Sequence, residues 1–377
     1  MTKDAAHFVR TSAHSLGFPA VRFAQVGETG PRSEEYDAWI DAGRHGGLEY
    51  LERHAPLKSN PRALLPTARS VVVLGMPYAF PLPPDPGGLT GRVSCYAWGR
   101  DYHNLIGKRL RRFERMLRTA FPGAETYAGV DARPLLERAW AEVAGLGAPG
   151  KNCMTLLPSQ TSFLFLAVML TNLDLPPDEP AGDHCGTCVR CLDACPTGAL
   201  VSAGELDSRL CISFHTIENR EDIPHAIRPG LGRWIFGCDD CQTVCPHVER
   251  ADQSGEPDFS PRPGQAWMDL PGVLALDEDT FAERFRGSAI RRTGLHGLQR
   301  NALIALGNLA DPGALSPMRT FLSHPLPMLR RHAAWAVLRL GERESVSAAW
   351  SRERDEHTRA DMATVLEGSH APNEGST

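Results

Sequence analysis

Two cysteine runs constrain this chain more than any other feature. The first is Cys185-Gly-Thr-Cys188-Val-Arg-Cys191-Leu-Asp-Ala-Cys195-Pro196, and the second is Cys238-Asp-Asp-Cys241-Gln-Thr-Val-Cys245-Pro246. Cys211 stands alone between them. A C-x2-C-x2-C-x3-C-P run suits a cuboidal iron–sulfur cluster for a geometric reason. Three closely spaced thiolates wrap one cube, and the fourth, followed by proline, turns away to ligate a second. On this rule Cys185, Cys188, Cys191 and Cys245 hold one 4Fe-4S cluster. Cys195, Cys238 and Cys241 supply three ligands of the other, and Cys211 is left as the fourth. Two structural zinc sites also use C-x2-C pairs. They require neither a third cysteine at the next x2 step nor a repeated Cys-Pro ending. Because each run lends a ligand to the other, the two clusters are expected to form a short electron relay. A ferredoxin needs only this segment, so the rest of the 377 residues implies a catalytic partner.

The surroundings agree with an intracellular redox protein. The start, Met1-Thr2-Lys3-Asp4, leads into no apolar core of a signal peptide. No apolar run is long enough to span a bilayer. A cytoplasmic location is therefore expected, where structural disulfides are rare and ten cysteines point to metal. A formal net charge of -5 excludes a globally basic nucleic-acid binder and leaves room for a local basic patch. The length exceeds one ordinary core, so two or three domains are expected.

The first part, to about residue 170, reads as α/β. Ala5 to Leu16 is helix-like and stops at Gly17. Val21 to Ala24 reads as a strand, and Ser33 is placed to cap a helix running to Gly43. Ser70 to Leu74 is a β-branched run expected to be a buried strand, followed by a Pro/Gly-rich loop from Pro77 to Gly91. A helix from Asn104 to Phe121 places Ile106, Leu110, Phe113 and Leu117 on one face. Lys108, Arg111, Arg112, Arg115 and Arg118 lie on the other. That cationic stripe fits either a solvated helix face or a phosphate-contacting surface. Pro134 is expected to open a helix to Val143. Phe163 to Leu170 reads as another buried strand, and Asp174 to Asp183 as a linker. Beyond Pro263 the texture is helical. Arg300-Asn301-Ala302-Leu303-Ile304-Ala305-Leu306 resembles Arg331-His332-Ala333-Ala334-Trp335-Ala336-Val337, which hints at paired helical repeats of the HEAT kind. The polar tail from Gly368 is expected to be disordered.

The stretch Leu210 to Glu218 and the stretch Ile235 to Gln242 resemble the epoxyqueuosine reductase family. So do Gly99-Arg100-Asp101-Tyr102-His103, Val130-Asp131 with Glu137-Arg138, Gly150-Lys151-Asn152, and Arg300-Asn301-Ala302 with Leu306-Gly307-Asn308. The matches are spread from about residue 45 to 340. The resemblance implies a cobalamin-dependent oxidoreductase that reduces the epoxide of epoxyqueuosine in tRNA to queuosine. It implies an α/β cobalamin-binding domain (1–173), a ferredoxin-like double-cluster domain (174–260) and an α-helical HEAT-like domain (261–367), with 368–377 as a tail. By the same resemblance Asp131 matches a proposed catalytic acid. Tyr96, Asp101, Tyr102 and His103 match residues near cobalamin and substrate, and Lys151 and Asn152 match a cofactor-side motif. Read without the resemblance, Asp131 fits an N-terminal helix cap and His103 a satisfied loop histidine. The chain departs from the family pattern at Gly147-Ala148-Pro149 before Gly150, at Gln160-Thr161-Ser162, and at Ala132-Arg133-Pro134. These changes touch the wall of the cofactor pocket.

Epoxide removal takes two electrons and two protons and releases water, so a general acid is required. An acid working near neutrality needs burial to raise its pKa, whereas a helix N-terminus would lower it. The tRNA partner would be tracked by the 108–118 stripe together with Arg291, Arg292 and Arg300, with Arg284, Arg286, Arg330 and Arg331 nearby in sequence. An unstacked anticodon loop would be read by its bases. A flavodoxin or ferredoxin system is the expected electron donor, and a monomer the expected state. Two other classes fit parts of the pattern. A cobalamin-dependent reductive dehalogenase or similar small-molecule reductase shares the clusters, but no twin-arginine export signal is present and the C-terminal repeats are unnecessary for it. An electron-transfer or zinc-binding adaptor would be separated by its metal content.

Overall fold

The computed structural model describes residues 2–28, 30–157, 162–248 and 254–368. The expected disordered tail and the departure at Gln160-Thr161 lie outside the described residues, apart from Gly368. The chain forms two compact units that interleave in sequence. The first comprises Met1–Pro81, Arg100–Arg209 and Asp239–Ser260, and the second Leu82–Gly99, Leu210–Cys238 and Pro261–Thr377.

The first unit is built on a four-stranded antiparallel sheet, in the order Ala20–Gln25, Ser70–Pro77, Leu164–Thr171, Thr126–Gly129. The two central strands are the two apolar runs expected from sequence. Their residues alternate between faces. Val71, Val73, Val168 and Leu170 pack with Trp140 and Ala141 of the helix Glu137–Val143. Each such buried side chain contributes about 1.5–3 kcal/mol. The edge strand Thr126–Gly129 has no apolar run of its own and was not expected. The helix Thr2–Ser15 ends before Gly17, whose φ of 81° is the left-handed turn that stops it. The acidic segment after the sheet is more than a linker. Asp178 accepts from the Phe23 amide and pairs with Arg10, and Asp174 pairs with Arg69.

Three helix starts show where local sequence misleads. Tyr102–Ala120 begins two residues early, because Asp101 accepts from the His103 amide and caps it. Ser33 is not a cap. It is the first residue of Ser33–Asp41, and Arg32, at φ 55° and paired with Glu142, takes the cap position. Pro134 does not open a helix either. Tight turns occupy 130–135, closed by Ala132 N–H to Val130 and Leu135 N–H to Arg133, and the helix begins only at Glu137.

The second unit carries a three-stranded sheet, in the order Trp234–Phe236, Thr90–Val93, Trp267–Asp269. Its first pair is parallel and its second antiparallel. The remainder is helical. Gly294–Leu309 and Pro327–Arg339 carry the two similar heptapeptides and pack together. The approach is close: a Cβ on Gly307 would fall 2.8 Å from the Trp335 ring and 2.9 Å from the Ala336 Cα.

Arg300 corrects an expectation. It was assigned to tRNA phosphate, yet it is fully buried. All five of its N–H groups are engaged inside the unit. They donate to the carbonyls of His215 (2.6 Å), Asn219 (2.9 Å) and Glu221 (2.7 Å), and twice to the Asn301 side-chain oxygen (3.1 and 3.0 Å). Burial pushes its guanidinium down to about 9. Leaving those carbonyls unpaired would cost about 1–3 kcal/mol each, so Arg300 is a structural clamp with nothing left to offer a phosphate.

Candidate active site and cluster cavity

Asp131 sits in the first unit, at a turn rather than a helix end. Its φ of 56° is left-handed, a conformation that Asp and Asn tolerate better than other non-glycine residues. The helix-cap reading therefore does not apply. Tyr102 donates its hydroxyl to Asp131 Oδ2 at 2.6 Å, and His103 Nε2 lies 3.3 Å from the same oxygen. His103 Nδ1 is 2.9 Å from Asp101 Oδ1, so the imidazole bridges two carboxylates. The Tyr102 ring stacks on Phe165, with centroids 4.2 Å apart and planes within 13°, and on His103 at 4.0 Å. These contacts hold Tyr102 and His103 rigidly at the first turn of their helix. The Asp131 side chain is 66% exposed. Burial by the protein thus does not supply the desolvation an acid needs, and any that occurs comes from what binds there.

Around this centre lies a charged group that sequence reasoning left without a role. Glu137 Oε1 is buried with no hydrogen-bond partner among the described residues. Burial, then the neighbouring Asp131 charge, pushes its carboxyl up to about 7. Burial likewise lowers Lys58, which Glu137 partly opposes, and Lys58 donates to the Leu135 carbonyl at 3.3 Å. The one available signal for Glu137 was its place in the quoted Glu137-Arg138 stretch.

His103 carries a testable linkage. Burial opposes its charge, but hydrogen bonds to Asp101 and Asp131 win and raise it from 6.5 to about 9. The imidazolium therefore stabilises the fold fully below pH 6.5, and the gain is lost as pH rises through about 9. Melting curves of the native chain and His103→Gln should lie furthest apart near pH 6 and converge by about pH 10. A gap that stays constant over that range would show that His103 is neutral in the fold.

The cysteines of the first expected cluster are all in this unit. Cys185, Cys188, Cys191 and Cys245 line one cavity of about 160 Å³ with Lys151, Asn152, His184, Arg190 and His247. Burial, followed by the Cys185 charge, raises the Cys191 thiol; burial also raises that of Cys245, which feels both Cys185 and Cys188. Among the described residues no three His, Cys, Asp or Glu side chains converge as a single ion would require. Four cysteines around one cavity suit a polynuclear cluster, in keeping with the spacing of the two runs. Short helices Arg190–Asp193 and Asp240–Thr243 occupy equivalent places in the two runs and pack on each other.

Lys151 and Asn152, matched by the resemblance to a cofactor-side motif, line this cavity. Lys151 Nζ donates to the Gly186 carbonyl at 2.7 Å, pinning the Cys185–Cys188 loop, and Asn152 Nδ2 donates to the Cys241 carbonyl at 3.0 Å. Of the remaining cysteines, Cys195 accepts from the Ala199 amide at 3.2 Å and Cys241 lies on Asp240–Thr243, both in the first unit. In the second unit, Cys211 immediately precedes the helix Ile212–Ile217, and Cys238 follows Trp234–Phe236 through Gly237. Tyr96 also belongs there, packed on Phe236 at 5.9 Å. Lys108, Arg111, Arg112, Arg115 and Arg118 are all exposed along Tyr102–Ala120, with Arg118 near Glu114. Arg291 is exposed, whereas Arg292 is paired with Glu218.

Comparison with known proteins bears on both sites. Residues 184–248 match the 4Fe-4S double cluster binding domain, 289–367 match HEAT repeats, and 58–132 match the family model described as Epoxyqueuosine reductase QueG, DUF1730. The epoxyqueuosine reductase of Gloeobacter violaceus is 40% identical over 310 residues, covering 80% of this chain and 96% of that protein. The chain belongs to the epoxyqueuosine reductase family. Its Escherichia coli relative is 38% identical over 335 residues, covering 86% of this chain and 87% of its own. A crystal structure of epoxyqueuosine reductase with an epoxyqueuosine-modified tRNA-Tyr stem loop matches 97% of this chain and 99% of that one, at a TM-score of 0.88 and 32% identity. A Bacillus subtilis epoxyqueuosine reductase, described with its catalytic aspartate loop swung out of the active site, matches with a TM-score of 0.88 and 31% identity. The family resemblance read from sequence is thus borne out, as are the double-cluster domain and the C-terminal repeats.

Proposed function

We propose that this chain reduces the epoxide of epoxyqueuosine in the anticodon loop of tRNA to the alkene of queuosine. Kinship over most of the chain with epoxyqueuosine reductases, including one solved with modified tRNA, carries the reading. We also propose its cofactors: two 4Fe-4S clusters and cobalamin. The first cluster takes Cys185, Cys188, Cys191 and Cys245, whose cavity suits it. The second is assigned by sequence spacing to Cys195, Cys211, Cys238 and Cys241. Cobalamin is carried over from the family resemblance read in the sequence, with Asp101, Tyr102 and His103 as the residues proposed to lie near it. When bound, the clusters supply single electrons and the cobalt a strong nucleophile.

The chain's own residues do the rest. Asp131 is the proton donor to the opened epoxide oxygen. Tyr102 and His103 hold its Oδ2, and both can return a proton to it. Asp101 keeps His103 oriented and charged. The left-handed turn leaves Asp131 exposed for the substrate to cover; the Bacillus subtilis relative is described with its catalytic aspartate loop swung out of the active site. The exposed stripe Lys108, Arg111, Arg112, Arg115 and Arg118 lies along tRNA phosphates. We place the reaction in the cytoplasm, with the three sequence segments 1–173, 174–260 and 261–367 serving catalysis, electron supply and scaffold. Among the described residues no helix is long and apolar enough to cross a membrane.

The deciding experiment is an anaerobic assay of the reconstituted chain, with cobalamin and a flavodoxin or ferredoxin reductant, on tRNA bearing the epoxide. Mass analysis of the digested nucleosides should show loss of one oxygen. A fully loaded chain that leaves the epoxide intact would overturn the reading.

A further inference from the structure

The buried Arg300–Asn301 pair reaches towards two of the expected cluster ligands. Asn301 is fully buried on Gly294–Leu309, within the segment that matches HEAT repeats. Its Nδ2 donates to two carbonyls at once, Thr216 and Ile235, each at 2.9 Å. Thr216 lies on the helix that Cys211 begins, where the His215 amide donates back to the Cys211 carbonyl at 3.1 Å. Ile235 lies on the strand that delivers Cys238. A single amide therefore ties the two arms carrying Cys211 and Cys238.

Two further contacts tighten the tie. The Thr216 hydroxyl accepts from the Gly237 amide at 2.9 Å, one residue before Cys238. Gly237 has a φ of 68°, and a Cβ there would fall 2.5 Å from Ser94, so this approach to Cys238 admits only glycine. Arg300 fixes the Asn301 amide by donating twice to its oxygen, which aims the nitrogen at the two carbonyls. It also holds the end of the Cys211 helix through the His215 carbonyl.

We propose that Arg300 and Asn301 are positioning residues for the second cluster, and that they set the spacing of Cys211 and Cys238. The first repeat helix is thereby part of the electron path's scaffold. This rests on the assignment of Cys211 and Cys238 to that cluster made above. Groups that orient a cluster's ligands also tune its uptake and its potential.

The test compares full-length native chain, Asn301→Asp, Thr216→Val and Cys211→Ser after anaerobic reconstitution with ferrous iron and sulfide. Iron and sulfide are counted, and dithionite-reduced samples are read by electron paramagnetic resonance and redox titration. Asn301→Asp keeps the shape of the amide but turns a donor towards two carbonyls into an acceptor. It should fall from about eight to about four iron per chain, matching Cys211→Ser and retaining the other cluster's signal. Thr216→Val, the milder change, should keep both clusters but shift the spectrum and midpoint of one. An Asn301→Asp protein with full iron and native spectra overturns the proposal. Should Asn301→Asp fail to fold by circular dichroism, native spectra and midpoints in Thr216→Val overturn it instead. A Cys211→Ser chain that keeps about eight iron removes the ligand assignment, and the inference with it.

Discussion

Asp131→Asn should leave iron content and melting temperature near native while lowering turnover of epoxide-bearing tRNA by about 10²- to 10⁴-fold, or about 3–5 kcal/mol of barrier. The choice of asparagine matters. Asp131 sits at φ 56°, which Asn accepts nearly as well as Asp, whereas alanine would add backbone strain and blur the result. Asparagine also keeps an oxygen for the Tyr102 hydroxyl, so the turn should stay closed. What disappears is the transferable proton. Quench-flow or end-point analysis of nucleosides, set beside iron counts on the same sample, separates lost chemistry from lost cofactor. Native turnover in Asp131→Asn would remove Asp131 as the acid and bring Glu137, the buried carboxyl raised to about 7 next to it, forward as the proton source.

Cys191→Ala should abolish turnover altogether and take up about four iron atoms rather than eight. Cys191 is half-buried in the wall of the cavity, with Cys185 close enough to raise its thiol. Alanine there removes one corner of a four-thiol cage, with no spare cysteine in the lining to replace it among the described residues. Because the fold around the cavity is held by Lys151 on Gly186 and Asn152 on Cys241, the variant should still fold. Circular dichroism would show that, and brown absorbance reduced to about half would show the loss of one cluster. A variant with native iron and native turnover would mean that Cys191 is not a ligand.

Parts of this molecule were plain in its residues, and the reasons are physical. Ser70–Pro77 and Leu164–Thr171 are apolar but for Ser70 and Thr171 because both faces of the sheet are covered, so they read as strands. The Cys-Pro runs are read from spacing alone, since cluster geometry is local. The strand Thr126–Gly129 was hidden because an edge strand needs neither face buried. The helix start at Ser33 misled because the deciding partner is distant, Glu142 pairing with Arg32, and the start at Pro134 because tight turns at 130–135 take up the proline. Arg300 was the largest misreading. A charged residue on a helix looks solvated unless one knows that three carbonyls some eighty residues away converge on it.

The three-stranded sheet of the second unit joins Thr90–Val93 to Trp234–Phe236 and Trp267–Asp269. On the ribosome its middle strand emerges long before either flanking strand exists. That sheet, and the Cys238 turn that leaves it, must wait for late synthesis, exposing an unpaired ribbon to chaperones meanwhile. The second centre, as assigned above, is therefore expected to mature only after Trp267–Asp269 has been made, however early its thiols emerge.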